Sequence, residues 1–114
     1  MTWQPFRCDV QPWHDALWIQ PNGELDCATA DVLRSTVAHF LEAGFAQLVM
    51  DLRSVTFVDS SGLRVLIEAR KAAAERGVEF SVAPGPPGVQ RVFTVTGTDV
   101  LFPAPPEDAG PGVA

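Results

Sequence analysis

The sequence predicts one α/β domain built on a small mixed β-sheet, and three observations predict it. Apolar runs of strand length alternate along the chain with longer stretches whose apolar residues recur at helical spacing. A length of 114 residues is enough for one core and too little for two. The stretch from Leu48 to Leu66 changes period midway, from strand-like to helix-like, across Asp59-Ser60-Ser61-Gly62-Leu63. It reads as a strand, a short turn and the mouth of a helix.

Taken in order, Phe6, Cys8 and Val10 alternate over residues 1 to 11, the mark of a half-buried first strand. Pro12 to Asp15 reads as a turn and Ala16-Leu17-Trp18-Ile19 as a second strand, so the two make a hairpin. Trp3, Trp13 and Trp18 are expected to cover core or edge around it, and an exposed Trp13 would be a candidate partner contact. Pro21-Asn22-Gly23 ends the second strand. The helix that follows is capped by Asp26 or Thr29. It turns Leu33, Val37, Phe40 and Leu41 inward, leaves Asp31, Arg34, Ser35 and His39 in solvent, and stops at Gly44.

Ala46 to Leu52 is a continuous apolar strand, as expected beneath helices. The helix after Asp59 is expected to bury Leu63, Leu66, Ile67 and Ala74 and to expose Arg64, Glu68, Lys71 and Glu75. Arg64 with Glu68, and Lys71 with Glu75, are opposite charges four apart, each worth about 0.2–0.5 kcal/mol. Gly77 closes that helix, and Val78, Phe80 and Val82 alternate in the next strand. Pro84 to Gly88 is a tight loop, and Val89, Val92, Phe93 and Thr96 make a short amphipathic helix closed by Gly97. A short last strand is expected near Val100. Residues 103–114, rich in Pro, Gly and Ala, have little to bury, so the domain spans 1–102 and a flexible tail follows. Right-handed crossovers place the helices against the sheet.

Composition narrows the function. With Asp+Glu 14 against Lys+Arg 8, the net charge of −6 argues against a direct nucleic-acid partner, which needs clustered cations to displace counterions from phosphate. Cys8 and Cys27 form neither a CxxC pair nor a zinc set, which fits unpaired thiols in a reducing compartment. Neither a signal peptide nor a membrane span is read from the sequence, and a cytoplasmic protein is expected. Ser61 lies in no G-x-S-x-G elbow, and His14 and His39 fall in a turn and on a helix surface, so a serine-nucleophile enzyme lacks a base. No Walker loop precedes Lys71, and Glu24, Asp26 and Asp31 are too scattered for a metal site. The expectation is a protein that is not an enzyme and carries no metal or other cofactor.

Ser60 and Ser61 stand where a helix begins, and there the first backbone N–H groups lack partners and the dipole is positive. Asp59 or Ser60 can serve as the N-cap, which leaves the other hydroxyl free. Capping alone would explain both serines.

Asp59-Ser60-Ser61-Gly62-Leu63, preceded by Val49-Met50-Asp51-Leu52 and Val55-Thr56-Phe57-Val58, resembles the signature of the STAS family. That domain is shared by sulphate transporters and bacterial anti-sigma-factor antagonists. Gly23-Glu24-Leu25-Asp26 before a helix is similar to the family's other recurring stretch. Val92-Phe93 through Thr96-Gly97, then Leu101-Phe102-Pro103, is similar to its closing helix and exit. The resemblance implies helices packed largely on one face of the sheet. It also implies an anti-sigma-factor antagonist phosphorylated on the second serine, Ser61; Ser60 is the less favoured alternative for that one phosphate.

The implied partner is an anti-sigma factor of the histidine-kinase-like ATPase type, itself the kinase, and a PP2C-like metal-dependent phosphatase removes the phosphate. The unphosphorylated antagonist captures the kinase and frees a sigma factor. The partner-binding residues expected on this reading are Asp26, Asp59, Ser60, Ser61, Gly62 and Arg64. Arg64 stands where the pattern favours a small residue and is within a turn of Ser61, in reach of a phosphate there or of Glu68. The alternative that the resemblance leaves open is a STAS subunit of a membrane lipid-transport ATPase complex, which needs no phosphorylation; nucleotide binding is a third.

Overall fold

The structure, a computed structural model, describes residues 5–106 and Gly110. Trp3, and residues 107–109 and 111–114 of the expected tail, lie outside the described residues. The hairpin is present: β1 (Arg7–Trp13) pairs antiparallel with β2 (Ala16–Leu25), and His14 turns the chain at φ 55. Trp13 ends β1 at 37% exposure, with the His14 ring edge-on to its own at 5.0 Å.

β2 is longer than its sequence suggests. It runs through Pro21, Asn22 and Gly23 to Leu25, still in register with β1 at Cys8↔Pro21 and Arg7↔Asn22. The residues that read as a strand end instead make an irregularity, with the register shifting between Gly23 and Glu24 and Gly23 at φ +112, a conformation that side chains resist. The extra length gives β2 two parallel partners. Its first half pairs with β3 (Gln47–Asp51) and its last residues with β4 (Val55–Val58). β5 (Glu79–Ala83) pairs parallel with β3, so the sheet runs β1-β2-β3-β5 with β4 beside the far end of β2. Val55–Val58 is thus a strand in its own right rather than only the approach to a helix. At four residues, with Val55 and Val58 buried and Thr56 and Phe57 exposed, it shows no alternation to read.

The helices are α1 (Ala30–Leu41), α2 (Ser60–Glu75) and α3 (Pro87–Thr96), and they pack on one face of the sheet. Leu33, Val37 and Leu41 of α1 are buried as their spacing predicts, and Phe40 is only half-buried. α2 is rotated from its expected setting: Gly62, Val65, Leu66, Ala69 and Ala73 are buried, Leu63 and Ile67 half-buried, and Ala74 exposed. Small residues at 62, 69 and 73 let the helix backbone lie close to the sheet, and that close approach outweighs the pull of the larger Leu63 and Ile67. After Gly97, left-handed at φ 74, the expected last strand is instead a 3-10 helix, Thr98–Leu101, with Val100 82% exposed.

The other face of the sheet carries a second apolar cluster, Ala16, Trp18, Val49 and Ala83. Asp51 lies beside it at 3% exposure, where its carboxylate accepts from Gln20 Nε2 at 2.9 Å, Arg53 Nη2 at 2.7 Å and Arg53 Nε at 2.9 Å. Burial by itself would raise the Asp51 pKa, but the hydrogen bonds from Arg53 and Gln20 outweigh it and hold the carboxyl below its ordinary value. A lowered folded pKa means that this contribution is fully present above the unfolded value of about 3.9 and is lost as pH falls through the folded one. Asp51→Asn is therefore expected to cost about 1.5–3 kcal/mol at pH 7. Its urea midpoint should approach that of the parent chain below about pH 4, because the parent then loses the same charge. Two pH profiles that stay parallel through that range would rule this account out.

Candidate functional site

The site is built where β4 hands over to α2. Asp59 is extended, at φ −109 and ψ −168, and its Oδ1 accepts from the backbone N–H of Ser61 at 2.9 Å and of Gly62 at 3.1 Å. Of the two candidate caps, the carboxylate holds the position, an interaction typically worth about 1 kcal/mol. Ser60 and Ser61 therefore become the first two residues of the helix, with hydroxyls that capping does not use. Among the described residues neither hydroxyl has a hydrogen-bond partner; Ser60 is exposed and Ser61 half-buried.

Gly62 is buried for a specific reason. A β-carbon there would run into the carbonyl oxygen of Leu25 and lie 2.9 Å from Leu25 Cγ, so the first turn of α2 sits directly on the end of β2. Asp59 N–H adds a hydrogen bond to the same carbonyl at 3.3 Å. The loop that begins at Gly23 is in this way brought against the helix mouth by its backbone.

Asp26, the last residue of that loop's recurring stretch, is turned the other way. Its Oδ1 accepts from Ala28 N–H at 3.0 Å and its carbonyl from Ala30 N–H at 2.8 Å. Thr29 Oγ1 accepts from Asp26 N–H at 3.0 Å and donates to Glu24 O at 2.7 Å. Asp26 and Thr29 together build the entry to α1, and Asp26 shapes the rim of the site without lining it.

Between the N-terminal turns of α1 and α2 lies an open cleft of about 250 Å³, lined by Cys27, Ala30, Asp31, Arg34, Ser60, Ser61 and Arg64. The sequence brings Ser60, Ser61 and Arg64 to one helix turn, and the structure adds Cys27, Asp31 and Arg34. Asp31 and Arg34 are solvent-exposed as their spacing predicts, but the solvent they face is this cleft. No local signal could have placed them there, because β3 and β4 separate α1 from α2 along the chain.

Arg34 bonds Asp31 on its own helix and reaches Glu68 across to α2, with Nη2 at 3.1 Å from Oε1 and Nε at 3.3 Å from Oε2. Its hydrogen bond holds the Glu68 carboxyl below the usual carboxylate value. The partner of Glu68 is thus Arg34 and not the expected Arg64. Arg64 is left without an ion pair or hydrogen bond among the described residues, in the same cleft as the two free hydroxyls.

Cys8 and Cys27 are free thiols; burial pushes the Cys8 pKa up to about 11, and Cys27 is exposed at the cleft. Among the described residues no histidine lines the cleft. Among the described residues no helix is long and apolar enough to cross a membrane, and no group of three His, Cys, Asp or Glu is placed to hold a metal. Chemically the site offers two acceptor hydroxyls at the positive end of a helix, beside an uncommitted guanidinium.

Comparison with known proteins gives this geometry relatives. A sequence model of the STAS domain matches residues 8–107. The anti-sigma F factor antagonist of Paenibacillus polymyxa is 30% identical over 98 residues, covering 85% of this chain and 84% of that protein. A crystal structure of an anti-sigma factor antagonist from Mycobacterium paratuberculosis superposes with a TM-score of 0.81 at 27% identity, covering 91% of this chain and 89% of that one. The Bacillus cell fate determinant SpoIIAA, in its phosphorylated form, has the same fold at a TM-score of 0.67 and 16% identity, covering 91% of this chain and 94% of that one.

Proposed function

This chain belongs to the STAS domain family, and on that premise we propose that it is an anti-sigma-factor antagonist switched by phosphorylation of Ser61. The observation that carries the reading is the Asp59 cap, which leaves both serine hydroxyls unengaged at an open cleft. The names of the relatives supply the partner class: an anti-sigma factor. A protein of the same fold has been captured with a phosphate on it.

In this reading the unphosphorylated mouth of α2 docks on an anti-sigma factor of the histidine-kinase-like ATPase type and so releases a sigma factor. Asp59, Ser60, Ser61, Gly62 and Arg64 form the docking surface, and Asp26 shapes its rim. The bound partner transfers a phosphate to Ser61, the complex separates, and a PP2C-like phosphatase resets the switch in the cytoplasm.

The physics suits the role. A phosphate adds about −1.5 to −2 charge, which a free helix N-terminus accepts at little cost. In a closed interface the same charge must be desolvated beside the Asp59 carboxylate, which opposes docking by several kcal/mol. Moving a complex from 99:1 to 1:99 needs about 5.5 kcal/mol, so one phosphate is of the right order and no refolding is required.

The test is to incubate the protein with its anti-sigma factor and ATP and to map the product by peptide mass. One phosphate on Ser61, absent from Ser61→Ala, is expected. A phosphate found only on Ser60, or a chain that the kinase binds but never modifies, would refute the assignment.

A further inference from the structure

The sheet face opposite the helices is buried although no helix of the described residues lies on it. Ala16, Trp18, Val49 and Ala83 are exposed by 6% or less. They alternate along β2, β3 and β5 with Leu17, Ile19, Leu48, Met50 and Val82, which face the helices, so they point the other way. No helix contributes to their cluster. An indole on a helix-free sheet face would ordinarily be open to water, yet Trp18 is 2% exposed.

Among the described residues, two groups lie on it. The Arg53 guanidinium carbon is 5.7 Å from the ring centroid, held there by its bonds to Asp51. The other is the backbone at Gly110, where an added β-carbon would fall inside the van der Waals envelope of Trp18 at Cζ2, Cε2 and Cη2. Only a residue without a side chain can lie that flat against the ring. Earlier in the same segment, at β5, Val82 N–H donates to Pro103 O at 2.8 Å.

We propose that the resident occupant of this face is the chain's own Gly110, seated on Trp18 and tethered to β5 through Pro103. It shields the apolar strip from other partners, and any protein that docks on this face must first displace it. The seat is small beside the main core, which makes the cover removable without unfolding the sheet.

The test uses the full chain and Gly110→Val, whose added bulk cannot fit against the ring. In the parent chain, nuclear Overhauser contacts between the Gly110 α-protons and the Trp18 ring are expected. The α-proton resonances should be shifted by the ring current, independent of protein concentration. In Gly110→Val those contacts should be lost. With Trp3→Phe and Trp13→Phe also present, acrylamide quenching of Trp18 should rise while helix and hairpin resonances stay in place. Random-coil shifts at Gly110 in the parent chain, or unchanged quenching in the variant, would overturn the proposal. So would contacts seen only between differently labelled molecules in a mixed sample, since a second copy would then be the occupant.

Discussion

Ser61→Asp is expected to weaken binding to the anti-sigma factor by about a hundredfold or more, whereas Ser61→Ala retains it. The added carboxylate sits in the first turn of α2, within a residue or two of the Asp59 carboxylate that already occupies the Ser61 and Gly62 N–H groups. It therefore finds few free donors in a closed interface, and a buried charge without partners costs several kcal/mol, where 1.4 kcal/mol is a factor of ten. Arg64 offsets part of this, being, among the described residues, the one cation at the cleft not already paired. Instability would not account for the loss, since an acid in the first turn of a helix stabilises it by about 0.3–1 kcal/mol. Titration calorimetry and a melting curve on the same samples separate the two effects. A loss of less than about tenfold with an unchanged melting temperature would mean that charge at this position is not the switch.

Gly62→Ala is expected to destabilise the fold by about 1–3 kcal/mol, or roughly 4–8 °C in melting temperature per kcal/mol for a domain of this size. The new methyl meets a backbone carbonyl, Leu25 O, which cannot rotate away as a side chain could. Relief requires α2 to lift off the end of β2, and Asp59 N–H would then lose its bond to the same carbonyl. The serine pair moves with the helix, so binding should fall along with stability. Gly88→Ala is the control. It lies in α3 with nothing within 4 Å of an added β-carbon, and alanine there should be neutral or stabilising by up to about 1 kcal/mol. Equal effects at the two positions would show that α2 is not seated on β2 as described.

Much of the site was legible because its determinants lie within one turn of chain. Asp59-Ser60-Ser61-Gly62 announces a capped helix start by residue type alone, and the structure decides between the two candidate caps in favour of the carboxylate. The hairpin and the buried stripe of α1 also follow from periods of two and 3.6, and the strand from Gln47 from a continuous apolar run, none of which needs a distant partner.

Legibility ended wherever a distant partner decided the outcome. Val55–Val58 is a strand because the last residues of β2 are there to pair with it, and Pro21 to Gly23 interrupt nothing because β1 and β4 hold the chain on either side of the irregularity. α2 turns Ala69 and Ala73 inward because the sheet rewards close approach, a preference that a ranking of side chains by size misses. Glu68 pairs with Arg34 rather than with Arg64, four residues away on its own helix, because the crossover through β3 and β4 sets α1 beside α2. That choice leaves Arg64 uncommitted beside the serines. By itself the sequence determined the class of fold, the buried stripe of α1 and the residue types at the helix mouth, since those are written in local spacing. Tertiary structure alone decided which arginine stays free, how deeply Gly62 is seated and what lies on Trp18, since each depends on groups far apart in the chain that only the order of the sheet brings together.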